Sequence, residues 1–151
     1  MNILLNLAIF FALAAYMEYV AWFTHKYVMH GFGWALHEDH HRPTGRGLQK
    51  NDLFAVFFAG ISMLSIFAGA LRGVTPLVAA GLGIALYGLG YFLFHDVMFH
   101  RRVRGLRIRA RGRYLARIVR AHKVHHQTSN KKEGGTSFGF LYASRQYAVE
   151  A

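Results

Sequence analysis

The sequence predicts an all-α membrane protein, in which three transmembrane helices carry a histidine-rich helical cap on their cytoplasmic face. Composition, long apolar stretches and the placement of basic residues lead to this prediction. The 151 residues are 54% hydrophobic, yet Lys and Arg outnumber Asp and Glu by 18 to 7. A soluble domain rarely combines so much apolar content with a formal charge of +11, whereas a membrane protein with a basic cytoplasmic face readily does. The length suits one domain, residues 1–151.

Three apolar stretches are long enough to cross a bilayer, at residues 3–23, 53–71 and 74–94. Each has 19 to 21 residues, so at 1.5 Å per residue each helix would be about 30 Å long, the thickness of a bilayer core. The first stretch lacks a basic n-region and a small-residue cleavage site. We therefore expect it to remain in the mature protein rather than be removed as a signal peptide.

The loop lengths predict the topology of these helices. Only Arg72 and Gly73 separate the second stretch from the third, so these two helices form a tight hairpin. Segments 24–52 and 95–151 then lie on the same side, and together they carry 17 of the 18 Lys and Arg residues. The positive-inside rule places that side in the cytoplasm, with the N-terminus outside.

The segment from Arg101 to Arg120 contains nine arginines interleaved with apolar residues. Such a pattern can bind nucleic acid by neutralising phosphates. It can also lie on anionic lipid headgroups with its apolar side chains directed inward. Because the segment follows membrane spans, we favour the lipid interpretation and expect no nucleic-acid partner.

Histidine is the residue type that points to chemistry. The chain has no cysteine, which excludes disulfides, thiolate metal sites and cysteine-ligated iron–sulfur clusters in it. Its ten histidines follow one pattern twice, H-x4-H and then H-x2-H-H. The first copy is His25, His30, His37, His40 and His41, and the second is His95, His100, His122, His125 and His126.

The spacing within each copy favours metal binding. On a helix the trio at 37, 40 and 41 shares one face, as does the trio at 122, 125 and 126, so three imidazoles can converge. The H-x4-H pairs are about 140° apart on an α-helix. We therefore expect each pair either to reach different ions or to lie on a distorted turn. Surface or proton-relay histidines are the alternative, and the repeated spacing argues against it.

The number of donors indicates two ions. One first-row metal ion takes at most about six ligands, so ten imidazoles suit two ions with positions left for oxygen or water. Imidazole binds zinc, copper, nickel and iron alike, so the residues alone leave the metal open. Seven acidic residues are few for a carboxylate-bridged di-iron bundle.

The four histidine boxes resemble those of the membrane fatty-acid hydroxylase and sterol desaturase superfamily. Further stretches resemble its bacterial β-carotene hydroxylase branch over nearly the whole chain. These stretches are His25 to His30 followed by Gly-Phe-Gly-Trp, Lys50-Asn-Asp-Leu-Phe-Ala-Val, Gly90-Tyr-Phe-Leu-Phe-His-Asp, and Thr136-Ser-Phe-Gly-Phe-Leu-Tyr-Ala. The sequence departs from the family in its short N-terminal region: related enzymes often have about four spans, which keeps a fourth span open as an alternative.

The resemblance implies a membrane monooxygenase with a di-iron centre, whose two iron ions are held by the ten histidines. Such an enzyme would use O2 to hydroxylate C3 of each β-ionone ring, converting β-carotene to β-cryptoxanthin and then zeaxanthin. Electrons would come from a ferredoxin or a similar donor, which a basic face suits. The location implied is the bacterial cytoplasmic (inner) membrane, with the active site on its cytoplasmic face.

Two sets of residues near the boxes are candidates for supporting roles. Aromatic residues near the boxes are candidate walls for a lipophilic substrate: Tyr19, Trp22, Phe92, Phe94 and Phe99. Acids near the boxes can orient a metal-ligating histidine by accepting its second N–H: Glu18, Asp39, Asp52 and Asp96. Lipid contact and local salt bridges are the respective alternatives.

Two other functions fit the boxes. The first is a hydroxylase, ketolase or desaturase of the same superfamily that acts on another lipid, such as a sterol or fatty acyl chain. The second is a non-catalytic membrane protein that binds or transports metal. A transporter places its ligands near the bilayer midplane, whereas these histidines lie outside the apolar stretches, so we favour the enzyme.

Overall fold

The computed structural model describes residues 2–45, 47–127 and 137–148, and within these ranges it is helical with no β-strand. The α-helices are α1 (Ile3–Phe23), α2 (Trp34–His41), α3 (Asp52–Arg72), α4 (Thr75–Tyr91) and α5 (Gly112–Gln127). Two π-helical segments, Thr24–Phe32 and Phe92–Phe99, continue α1 and α4, and a 3-10 turn spans Arg145–Tyr147. Three basic residues counted above, Arg46, Lys131 and Lys132, lie outside the described residues, as does Thr136 of the last quoted stretch.

Three helices in the described ranges are long and apolar enough to cross a membrane: Ile3–Phe32, Asp52–Arg72 and Thr75–Phe99. This confirms the three predicted spans, and the described residues contain no fourth. The spans expose large apolar side chains such as Leu4, Phe57 and Leu64. Exposure of this kind suits a surface that faces lipid rather than water. The chain is therefore an integral membrane protein.

The tight hairpin between α3 and α4 forms as predicted. Gly73 takes a left-handed conformation (φ 67°), which glycine adopts without steric cost, and Val74 N donates to Gly69 O at 2.8 Å to close the turn. Further along, Ser62 Oγ donates to Gly81 O at 2.8 Å. A Cβ on Gly81 would lie 2.8 Å from Ser62 O, so the small residue permits the close approach of the two helices.

The cap lies at the end of the spans where α1 and α4 turn into π-helices. Gly31, near the end of the first π-helix, leaves the helical region (φ −101°, ψ −125°), so the chain bends there before α2 begins at Trp34. On α5, Ile118 and Ala121 pack against Ala143 and Tyr147 of the C-terminal segment. α2, α5 and residues 137–148 thus gather over one end of the three spans.

Candidate metal centre

All ten histidines come together in the cap, in two adjacent groups. The first group is His25, His30, His37, His41 and His125, and the second is His40, His100, His122 and His126. Within each group the potential ligand atoms all lie within 4.8 Å of one another. His95 adjoins the second group, with its Nε2 atom 3.1 Å from His40 Nε2. The structure therefore brings together every histidine that the sequence singled out.

The π-helices explain how the H-x4-H pairs reach a common site. A π-helix closes its hydrogen bonds between residues five apart, which brings such residues to nearly the same face. His100 N donates to His95 O at 3.0 Å, a bond of this kind. The ring centroids of His95 and His100 are 4.6 Å apart, and those of His25 and His30 are 5.1 Å apart. Of the two expectations for these pairs, the distorted turn is the correct one.

The trios on α2 and α5 do not each converge on one point, as a shared helix face suggested. On α2, His37 and His41 belong to the first group whereas His40 belongs to the second. α5 reverses the pattern, since two of its histidines join the second group and His125 joins the first. The rings of His41 and His126 stack across the groups with centroids 4.4 Å apart. Both helices therefore contribute side chains to two neighbouring sites.

Hydrogen bonds to oxygen fix the tautomer of three histidines. The Nδ1 atom of His25 lies 2.8 Å from Phe138 O, that of His37 lies 2.6 Å from Asn51 Oδ1, and that of His40 lies 2.8 Å from Gln49 Oε1. These oxygens only accept hydrogen bonds, so each Nδ1 carries the proton. In a neutral ring the Nε2 atom then presents a lone pair.

These lone pairs face one another, which is the arrangement that a cation requires. The Nε2 atoms of His25 and His37 are 3.1 Å apart, and neither has a proton to share. Two nitrogens that bind one ion at about 2.1 Å, at right angles, are separated by about 3.0 Å. The Nε2 of His126 is buried and has no hydrogen-bond partner among the described residues. The donor set thus fits a metal of the kind that imidazole prefers, which includes iron.

Burial keeps the imidazoles outside the membrane spans neutral. His37 and His40 are each only 1% exposed. Burial, with the nearby His40, lowers the pKa of His37 to about 2, and burial with the nearby Arg102 lowers the pKa of His100 to about 4. Burial also lowers the pKa of His122 well below its ordinary value. Neutral imidazoles are the form that binds metal.

The acids near the boxes mostly bind groups other than histidine. Asp96 alone lies near one, with its Oδ1 3.4 Å from His95 Nδ1, and it also pairs with Arg102 at 2.7 Å. Asp52 pairs with the same arginine, and Asp39 accepts from the backbone N–H of Lys50. Glu18 does not contact a histidine: its partners are Tyr87 and the backbone of residues 141 and 142.

The residues that orient the histidines are instead Asn51, Gln49 and the Phe138 carbonyl, which the sequence did not single out for this role. Asn51 and Gln49 lie in the loop before α3, and Phe138 lies 113 residues beyond its partner His25. The spacing of residues in a short stretch of sequence does not indicate contacts between residues so far apart in the chain. Because Asn51 and Gln49 come just before an apolar stretch, the sequence suggests helix N-caps there rather than hydrogen-bond partners of histidines.

A cavity of about 460 Å³ leads from the membrane to the histidines. Its inner end is formed by His25, His95 and His122, and it extends along α3 as far as Ile66. Ile66 lies 14 residues after Asp52, which corresponds to about 21 Å along the helix. Met63 also lines the cavity and is 55% exposed, so the cavity is open at this position. The cavity therefore reaches the surface that lipid covers.

None of the candidate wall residues Tyr19, Trp22, Phe92, Phe94 and Phe99 lines this cavity, so the alternative of lipid contact or helix packing applies to them. Tyr19 and Phe92 are about half exposed, at 54% and 43%, on the outside of the spans. The cavity walls are other aromatic and sulfur-containing side chains: Met17, Met29, Phe54, Phe58, Tyr87, Tyr91, Phe138 and Phe140. Because the spans are apolar on all sides, sequence periodicity gave no means of telling the inward face from the outward one.

The fold and the two histidine groups define a membrane protein with a candidate metal centre at the inner end of an apolar cavity. Residues 10–143 match the fatty acid hydroxylase family, and the chain belongs to that family. The family is one of oxygenases, so the chain is an enzyme and not a non-catalytic metal-binding protein.

Named relatives fall in one branch of the family. The chain is 47% identical to the β-carotene hydroxylase of Pseudescherichia vulneris over 89% of this chain and 75% of the relative. It is 45% identical to the β-carotene hydroxylase of Pantoea ananas, over 91% and 77% of the respective chains. A chloroplastic β-carotene 3-hydroxylase of Arabidopsis thaliana is 32% identical over 86% of this chain and 43% of its own length. No solved structure gives a significant match.

Proposed function

We propose that this enzyme hydroxylates β-carotene at C3 of each β-ionone ring, giving β-cryptoxanthin and then zeaxanthin. The observation that carries the proposal is the apolar cavity, which is lined by residues of α1, α3 and α4 and ends at His25, His95 and His122. A substrate dissolved in the bilayer can enter it without crossing water. The names of the relatives supply the carotenoid and, for the chloroplastic enzyme of Arabidopsis thaliana, position 3.

The shape of the cavity suits one end of a long, rigid hydrocarbon. Small residues line it on two helices, namely Ala55 and Ala59 on α3 and Ala85 and Gly88 on α4. Their small side chains leave room in the cavity for a polyene that extends toward the bilayer. At the inner end, the rings of Phe138 and Phe140 enclose the terminal ring and exclude water. A volume of about 460 Å³ lies within the range of roughly 300–1,000 Å³ that holds small-molecule ligands.

The two histidine groups would each hold one iron ion. His25, His30, His37, His41 and His125 form the first set, and His40, His95, His100, His122 and His126 form the second. Two irons in these sets would supply the activation of O2. The chain's part is to present lone pairs at Nε2, through the bonds that His25, His37 and His40 donate from Nδ1.

The reaction requires an electron source outside this chain. One atom of O2 enters the C–H bond and the other leaves as water, which consumes two electrons and two protons. We propose a ferredoxin or a similar acidic carrier as the donor. The support is the run of exposed arginines that directly follows His100, including Arg101, Arg104 and Arg107, because such a surface attracts an acidic partner.

The proposed location is the bacterial inner membrane, with the histidine cap in the cytoplasm. The positive charge of segments 24–52 and 95–151 supports this orientation. It also places the cap on the side where soluble reductants are present.

Expression in a β-carotene-producing bacterial host, followed by pigment analysis, tests the substrate. We expect β-cryptoxanthin and zeaxanthin to accumulate, and the H125A variant to leave β-carotene unchanged. Unaltered β-carotene together with a hydroxylated sterol or fatty acid would identify the enzyme as a member of the same superfamily that acts on another lipid.

A further inference from the structure

Glu18 stands out because it is an acid within a membrane span, and such residues are costly unless they have a function. Its carboxylate accepts three hydrogen bonds. Tyr87 Oη donates to Oε2 at 2.8 Å, while the backbone N–H groups of Leu141 and Tyr142 donate to Oε1 at 2.9 and 3.3 Å. Glu18 thereby joins α1 both to α4 and to a segment more than 120 residues further along the chain.

That segment, residues 138–142, is here called the strap, and it has no regular secondary structure. Its Phe138 carbonyl accepts from His25 Nδ1, and the Phe138 ring lies 5.2–5.4 Å from the rings of His25, His30 and His125. Its Phe140 is 5% exposed, packs against Tyr87 and lines the cavity. The strap therefore touches both the first histidine group and the space proposed for the substrate.

We propose that Glu18 is a positioning residue whose carboxylate holds the strap in place, so that the strap sets the tautomer of His25 and closes one wall of the cavity. A backbone without regular structure supplies no internal bonds to keep its own shape. Hydrogen bonds to a carboxylate are among the stronger ones in proteins. The inference rests on the proposed metal site but not on the identity of the substrate.

Gly139 provides an independent sign that the carboxylate and the strap are fitted to each other. A Cβ at this position would overlap Glu18 Oε1. An alanine there must therefore displace either the carboxylate or the strap. By contrast, a Cβ on Gly60 of α3 would meet nothing within 4 Å, which makes that residue a matched control.

The test compares E18L, E18Q, G139A and G60A in the metal-loaded protein in lipid nanodiscs, measured by hydrogen exchange of the strap amides. In E18L the strap loses its acceptors, and exchange at Leu141 and Tyr142 should rise at least about tenfold, since a bond to a charged group is worth that factor or more. E18Q keeps a carbonyl acceptor and should stay within about threefold of the wild type. G139A should resemble E18L, and G60A should resemble the wild type.

A second measurement tests the effect of these variants on the metal site and the cavity. Metal release to a chelator should be faster in E18L and G139A than in E18Q, and KM for the substrate should rise more than kcat falls. A further variant, E18A, removes the oxygen that a Cβ at Gly139 would overlap. Adding G139A to E18A should therefore cause no further change in amide exchange or metal release. Wild-type exchange and wild-type metal release in both E18L and G139A would overturn the proposal. If E18L fails to insert in the membrane, G139A alone decides. Exchange and metal release are measured without carotenoid, so they stand even if the substrate is another lipid.

Discussion

The Nε2 atoms of His25 and His37 lie 3.1 Å apart although both rings carry their proton on Nδ1. Two lone pairs at this distance repel unless a cation lies between them. The two residues come from different elements, the π-helix after α1 and the short helix α2. The Nε2 atoms of His40 and His95 are also 3.1 Å apart. The facing lone pairs of His25 and His37 are the structural basis for proposing a metal centre rather than a cluster of structural histidines.

Removing one ligand from either group should abolish hydroxylation. H41A leaves four of the five histidines of the first group, and H126A leaves four of the five of the second. Each variant should bind its ion more weakly, so that the metal content falls toward one ion per chain when a chelator competes. The measurement is elemental analysis alongside turnover in membranes. The control is K123A, which changes an exposed residue of α5. This variant should keep both the metal content and the turnover of the wild type. Full activity in H41A and H126A would contradict the two-site account.

The bonds to Nδ1 should matter for metal affinity. Replacing Asn51 with leucine removes the acceptor that fixes His37, and loss of such a partner typically costs about 10- to 100-fold in affinity. Q49L should do the same through His40. Competition against a chelator measures the change. An affinity unchanged in both variants would show that these bonds do not orient the ligands.

Filling the cavity at Gly88 should block the substrate but spare the metal. Gly88 lines the cavity, and a Cβ there meets nothing within 4 Å. In G88L the side chain should occupy the cavity, so that turnover of β-carotene falls at least about tenfold while metal content stays unchanged. G60L, on α3 and outside the cavity, is the control. Equal turnover in the two variants would place the substrate elsewhere.

Acid should destabilise the metal-free protein. The pKa of His100 falls from an ordinary value of 6.5 to about 4 in the folded chain, so the unfolded chain binds more protons between these values. The stabilising contribution is therefore complete above about pH 6.5 and is lost as pH falls toward about 4. Denaturant unfolding at several pH values measures this. A midpoint that stays constant from pH 7.5 to 4.5 would contradict the buried, neutral imidazoles.

Reporter fusions should place the cap in the cytoplasm. Fusions after Lys50 and after residue 151 should both report cytoplasm, and a fusion at Gly73 should report the opposite side, because the two basic segments lie on one face. An external signal from the C-terminal fusion would reverse the proposed orientation.

The sequence was sufficient for the three spans, the hairpin at Gly73 and the full set of ten histidines, since each depends on local composition or spacing. It was not sufficient for the division into two groups. The π-helical turns bring together the pairs His25–His30 and His95–His100, and they were not distinguished from α-helices in advance. The division itself arises because α2 and α5 each contribute histidines to both groups. The strap and its bond to Glu18 depend on contacts between distant parts of the chain, which periodicity does not encode.

The most direct test of the account is turnover by the purified, iron-loaded enzyme with β-carotene, a reduced ferredoxin and ¹⁸O2. We predict zeaxanthin with one ¹⁸O atom in each C3 hydroxyl group, two iron ions per chain and no label from H2¹⁸O. Hydroxyl oxygen derived from water, or turnover that persists after the iron is removed, would contradict the proposal that the ten histidines form an oxygen-activating di-iron centre.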